Sequence, residues 1–269
     1  MIDRLKIMQV SDLHYLSKKL YDKGPMFQKT MDLGDGKVMH YMEELTDALV
    51  DQVLQEKPDA LFLCGDLSYN GELLSHEDLA SKLSVIKNAG IKVLVTTGNH
   101  DLYNRRAALF KGDNYYQIPT VYSEQFRRIY GDFGYGEACM SDRNSLSYVC
   151  EVKPGVFVIV LDANGKEKNC YLSDDTICWV EDCLKKIRKK NGLVISMSHQ
   201  NLFTHTILSE NFEMKGSKKL LSIYRNYGVR LNLCGHIHMQ RLKDAEGFCE
   251  VSIGSISVFP HNYGLITID

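Results

Sequence analysis

Short apolar, β-prone runs recur along the chain at Leu5–Val10, Ala60–Cys64, Val93–Thr97, Leu193–Ser198 and Leu231–Cys234. Between the first three the pattern turns helical. Leu45, Leu49 and Val53 repeat at helical spacing within a helix expected from Glu43 to Lys57, and Pro58 ends it. Ser75 and Asp78 have capping-box spacing for a second helix, closed by Gly90. Tyr15–Tyr41 reads as irregular, with Gly24-Pro25 and Gly34-Asp35-Gly36 as turns. Residues 102–146 break the rhythm and hold one expected helix, Ser123–Tyr130. Strands follow at Ser147–Val152 and Val156–Leu161, then a helix over Asp174–Lys190 that Ser173 caps. Its acidic start and basic end suit the helix dipole. A helix near Lys218–Tyr227 and strands near Cys249–Ile253 and Leu265–Ile268 complete the pattern. No repeat or low-complexity linker divides it. One α/β domain over residues 1–269 is expected, with two β-sheets packed together and helices outside.

Each of the five apolar runs ends in side chains that bind metals: Asp12-Leu13-His14, Gly65-Asp66, Gly98-Asn99-His100-Asp101, His199, and Gly235-His236-Ile237-His238. Strands of an α/β sheet deliver their ends to one edge, where ligands bind. Carboxylate, amide and imidazole groups from five distant segments would converge there, as a two-metal hydrolytic site requires. Asp12 and His14 are two apart, so an extended backbone points both the same way, and the same holds for His236 and His238. Hard oxygen with imidazole suits Mn, Fe or Zn rather than Ca or Mg. The Asp66 carboxylate could bridge two cations, and Asn99 offers a neutral oxygen. His100 beside Asp101 resembles an acid–orienter pair. Each motif alone has a bland explanation: a surface pair, a turn residue, or buried histidines satisfied by backbone. Five of them, all at strand ends, point to chemistry.

Composition narrows the partners. The 269 residues are 44% hydrophobic and 25% charged, ordinary for a soluble globular protein. The net charge of −2 comes without a basic stripe, so duplex nucleic acid is excluded and a small phosphate ester fits better. Met1–Lys6 leads straight into a strand with no secretory leader, and no window is long enough to span a membrane. The eight cysteines contain no Cys-x-x-Cys pair, which argues against structural zinc and for reduced thiols in the cytoplasm. No pattern specifies an oligomeric state.

The five motifs resemble the full signature of the calcineurin-like metallophosphoesterases. That resemblance implies a four-layer αββα sandwich with a dinuclear site at its edge. It implies one metal on Asp12, His14 and His238, the other on Asn99, His199 and His236, and Asp66 bridging them. His100 would be the catalytic imidazole and Asp101 its orienter. The cofactors would be two divalent or trivalent ions, Mn, Fe or Zn, with a bridging hydroxide attacking phosphorus in line. Finer stretches are similar to a Firmicutes branch of bacterial cyclic-nucleotide phosphodiesterases: Gly65–Glu72, Ser75–Ala80, Tyr130–Tyr135, Ser145–Tyr148, His199–Leu202 and Ser257–Gly264. They imply a cyclic nucleotide or similar phosphodiester as substrate. Ser198 departs from that pattern, where a second histidine is common. Gly65-Asp66-x-x-Tyr69 is also similar to purple acid phosphatases, whose tyrosine binds iron, but their first motif lacks the histidine of His14. The rival readings are a phosphomonoesterase and a non-catalytic, metal-stabilised scaffold; the intact His100-Asp101 pair speaks against the scaffold.

Substrate contacts are expected from Tyr103, Arg105 and Arg106, which follow the His100-Asp101 pair, from His205 in the loop after His199, and from His261 after Pro260. An arginine there could hold phosphate by a two-pronged contact. The 102–146 segment reads as the substrate rim, with Tyr115 and Tyr116 available to a base. His40 and His76 read as solvated, and Trp179 as part of a core-facing helix surface.

Overall fold

A computed structural model describes residues 4–166, 168–210 and 212–269. Strand β1 (Leu5–Val10) pairs in parallel with β2 (Ala60–Leu63), and β2 with β3 (Lys92–Val95); β13 (Gly264–Ile268) lies antiparallel on the free side of β1. Alternate residues of these strands face opposite ways. Leu5, Ile7, Phe62 and Leu94 face a second sheet, while Met8, Val10, Leu61, Leu63, Val93 and Val95 face helices. Both faces are therefore buried, which accounts for the unbroken apolar runs. The outer cover is α2 (Met42–Glu56), α3 (Leu73–Asn88) and α4 (Ser123–Ile129), through Leu49, Val53, Leu79, Leu83, Ile86 and Phe126.

The second sheet has a parallel centre of β8 (Val156–Val160), β9 (Leu193–Met197), β10 (Leu231–Cys234) and β12 (Phe248–Ser252). Antiparallel strands extend it: β7 (Tyr148–Lys153) and β6 (Met140–Ser141) on one side, β11 (Arg241–Ala245) on the other. Tyr148, Val158, Val160, Ile195, Met197 and Leu233 meet the first sheet. On the far side α5 (Asp174–Arg188) and α6 (Ser217–Tyr227) pack Ile177, Val180, Leu184, Ile187, Leu220 and Tyr224, with Trp179 beside them, as expected. The result is the αββα sandwich, and the C-terminal ends of its parallel strands meet at one edge.

Several elements differ from the expected ones. Tyr15–Tyr41 contains α1 (Pro25–Asp32), started by Pro25 in the first turn, where a missing N–H costs nothing. Residues 102–146 contain a hairpin of β4 (Ala108–Lys111) and β5 (Asn114–Gln117) around Gly112-Asp113, seated on Leu20, Phe27 and Met39. α3 begins at Leu73 and not at the Ser75 cap. Ser75 Oγ instead accepts from Ser17 N at 3.2 Å and Asp78 accepts from Ser17 Oγ at 2.6 Å, so both residues serve a tertiary contact. The expectation for Met1–Asp3 falls outside the described residues. Among the described residues no helix is long and apolar enough to cross a membrane.

Candidate metal centre

The loops leaving β1 and β2 stay paired beyond their strands. Asp12 N donates to Gly65 O at 3.0 Å and His14 N to Asp66 O at 2.9 Å. The extended backbone expected at Asp12–His14 and His236–His238 is absent. Asp12, His14, Asp66, His236 and His238 all take left-handed φ, from 46° to 74°. Each such residue costs about 1–3 kcal/mol and persists only where its surroundings over-determine it. Here Ser255 and Ser257 hydroxyls donate to Asp12 O at 2.7 and 3.1 Å. Two glycines admit the close approaches. A Cβ on Gly98 would overlap Asp66 Oδ1 and N, and one on Gly235 would overlap Ser11 Oγ.

The seven expected donors form two adjoining groups. In one, His238 Nε2 lies 3.2 Å from both His14 Nε2 and Asp12 Oδ1. In the other, His199 Nε2 lies 3.2 Å from both Asn99 Oδ1 and His236 Nδ1. Asp66 Oδ2 stands between them, 3.7 Å from His14 Nε2 and 3.4 Å from His199 Nε2. Its other oxygen accepts from His100 N at 2.8 Å, which fixes the carboxylate's orientation. His199 Nδ1 donates to Cys64 O at 2.8 Å, leaving Nε2 for a ligand. Asp12 Oδ1 is fully buried and, although His238 Nε2 stands 3.2 Å away, no contact to the described residues has hydrogen-bond geometry. Imidazole nitrogens facing one another around an unpartnered carboxylate oxygen fit a pair of cations.

The charges match this reading. Burial alone would raise Asp66, but His199 and His100 outweigh it and hold the carboxyl well below its usual range. Burial opposes a proton on His199, yet the Asp66 charge and hydrogen bond bring it up to about 9. Burial takes His236 down to about 4. The same Asp66 charge that favours a proton on His199 would favour a cation in its place.

Asp101 does not orient His100. Its fully buried carboxylate accepts from Leu67 N, Ser68 N and Gly98 N at 3.1, 2.8 and 2.8 Å, so it organises the loops that carry Asp66 and Asn99. Burial and the Asp66 charge push it up to about 7. His100 Nδ1 faces Tyr69 O at 2.7 Å instead. His76 is not solvated: it is fully buried, with Nδ1 2.8 Å from the Tyr130 hydroxyl and Nε2 3.2 Å from Asp101 O. His40 is half-buried. Sequence reasoning missed Tyr69 O because a carbonyl leaves no trace in residue type.

Of the expected substrate contacts, Tyr103, Arg105 and Arg106 line a cavity of about 300 Å³ beside Asn99 and His100. Tyr115 and Tyr116 do not line it; they stand exposed on the β4–β5 hairpin. His205 is turned away into a buried pair with Glu250 at 2.9 Å, and Glu250 also accepts from Leu202 N and Phe203 N. His261 Nδ1 donates to Ile256 O at 2.9 Å. The Tyr69 side chain packs against the Leu16–Phe27 cluster, which removes the iron–tyrosinate alternative. A larger cavity of about 950 Å³, between α5, α6 and Leu202–Thr204, contains none of the donors.

Comparison with known proteins agrees with this geometry. The calcineurin-like phosphoesterase family model matches residues 5–240. A probable cyclic nucleotide phosphodiesterase of Ruthia magnifica subsp. Calyptogena magnifica is 32% identical over 70 residues, 26% of this chain and 29% of that protein. The match thus spans under a third of that relative. A dimetal phosphatase from Danio rerio superposes with a TM-score of 0.68 at 14% identity, over 98% of this chain and 91% of the other. A putative 5′-nucleotidase from Staphylococcus aureus, in complex with alpha-ketoglutarate, gives 0.51 at 12% identity, over 99% of this chain and 51% of the other. At such identities the structural likeness is one of fold. With its family model spanning most of the chain, the protein belongs to the calcineurin-like phosphoesterases.

Proposed function

We propose that this phosphoesterase is a phosphodiesterase acting on a cyclic nucleotide or a similar nucleotide ester. One cation would be held by Asp12, His14 and His238, the other by Asn99, His199 and His236, with Asp66 shared. The observation that carries this is Asp66 itself: one oxygen is tied to His100 N, and the other lies between the two donor groups. When bound, two such cations lower the pKa of a water and neutralise phosphoryl charge. The protein's own part is positional. Asp101 holds the loops, the Gly98 approach seats Asp66, and the Tyr69 carbonyl sets the His100 ring. The doubly protonated His100 ring would give its Nε2 proton to the departing alkoxide, while its Nδ1–H stays on the Tyr69 carbonyl. The diester preference rests on the local likeness to a probable cyclic nucleotide phosphodiesterase and on the amide-rich cavity beside His100.

The test is turnover of bis(p-nitrophenyl) phosphate and p-nitrophenyl phosphate by Mn²⁺-loaded protein, with release of nucleoside monophosphate from cyclic nucleotides. Faster cleavage of the bis-ester supports the proposal. Faster cleavage of the mono-ester makes the protein a phosphomonoesterase, and no cleavage with both metals bound makes it a scaffold.

A further inference from the structure

The described residues that line the cavity beside the metal donors are cationic or neutral. Asn99 and His100 form one wall; Arg105, Arg106 and Lys166 line the rest, with the amides of Asn70, Asn104 and Asn169. No acidic side chain among the described residues lines it. The chain as a whole carries −2, whereas the described lining of this cavity brings three cations together at the mouth of the site.

The loop that carries the arginines is braced against the His100 segment. Asn104 Nδ2 donates to His100 O and to Asn70 Oδ1, each at 3.2 Å, and Asn104 Oδ1 accepts from Arg106 N at 3.0 Å. Tyr103 is held at φ 53°, its N–H on Val121 O at 3.0 Å and its hydroxyl 2.7 Å from Ser123 Oγ. A bulky residue in that region is rare, and such strain gathers at ligand clamps. Tyr103, Gly165 and Lys166 also line a neighbouring cavity of about 490 Å³ with Tyr171 on its wall, so a trough leads onward from the cations.

A phosphodiester presents one negative charge, and the metal donors address it. Three more cations to one side have no counterpart in a simple cyclic nucleotide. We propose that the substrate is a nucleotide bearing a second phosphate, which Arg105, Arg106 and Lys166 receive while the diester lies at the metals. This rests on the phosphodiesterase reading above. Guanidinium suits the role because it meets phosphate oxygens through paired donors.

The test uses metal-loaded protein and two p-nitrophenyl esters of thymidine 5′-phosphate, one bare and one with a 3′-phosphate. Calorimetric affinities for thymidine 5′-phosphate and thymidine 3′,5′-bisphosphate accompany it. The 3′-phosphate should raise kcat/KM about tenfold or more, chiefly through KM, and tighten binding about tenfold. The combined Arg105→Ala, Arg106→Ala, Lys166→Ala variant should bring both ratios to within about twofold of unity. No preference in the native protein overturns the proposal. So does a variant that loses both esters and both ligands alike, because the cations would then serve the scissile phosphate. If neither ester is cleaved but the bisphosphate still binds tighter, and the variant erases that advantage, the diesterase reading fails and the second-phosphate pocket stands.

Discussion

His100 donates its Nδ1–H to the carbonyl of Tyr69 at 2.7 Å. A carbonyl can only accept, so the neutral ring carries its proton on Nδ1 and Nε2 keeps a free lone pair. The ring is therefore aimed by main chain, and its free nitrogen is available for proton transfer.

His100→Ala should lower kcat by about two to four orders of magnitude, the range for a positioned acid–base group. Metal content, read by elemental analysis, should stay at two per chain. Loss of metal in step with activity would make His100 a ligand.

Asp101→Asn should act on structure. The amide replaces one oxygen with a donor facing a backbone N–H, at a cost of about 1–3 kcal/mol. Denaturant unfolding should show that loss together with weaker metal binding. An undiminished stability with a shifted pH–rate profile would restore Asp101 as the orienter of His100.

Gly98→Ala should displace Asp66, whose backbone and carboxylate occupy the space of the new Cβ. Metal affinity should fall about 10–100-fold, as when a supporting residue of a metal site is removed. Full retention of both metals would show that the loop can move aside.

Glu72 supplies a pH signature. It is fully buried, with Asn70 N on Oε2 at 2.9 Å and no partner on Oε1 among the described residues. Burial pushes it from 4.5 up to about 7. Between those values the folded chain keeps the proton that the unfolded chain has lost. Its contribution to stability is thus complete below pH 4.5 and disappears as pH rises through about 7. Glu72→Gln mimics the protonated acid. It should melt like the native protein at pH 4 and be more stable at pH 8 by roughly 3 kcal/mol. Equal differences at the two pH values would reject this.

The parallel strands were legible because burial on both faces writes them as unbroken apolar runs. The donors were legible because they follow those runs directly. Less visible were features set by long-range contact. β11, Arg-Leu-Lys-Asp-Ala, lies at a sheet edge and carries three charged residues in five, so no apolar run announces it. Ser75 and Asp78 have the spacing of a cap but answer to Ser17. His76 looks solvated on a helix until Tyr130 and the Asp101 carbonyl close over it. His205 shows no sign in sequence of Glu250, 45 residues away. The Gly112-Asp113 hairpin did carry a turn signal, two residues between short aromatic runs.

The donors are divided between the two sheets. Asp12, His14, Asp66 and Asn99 follow strands of the first, while His199, His236 and His238 follow strands of the second. Neither donor group is complete within one sheet, since His238 completes the first and Asn99 belongs to the second. A nascent chain that has folded only as far as β3 holds four of the seven donors and no finished site. The proposed ligand sets are therefore joined only by the packing of the two layers: each cation site would come to completion once the chain has run through His238 and the sheets have met.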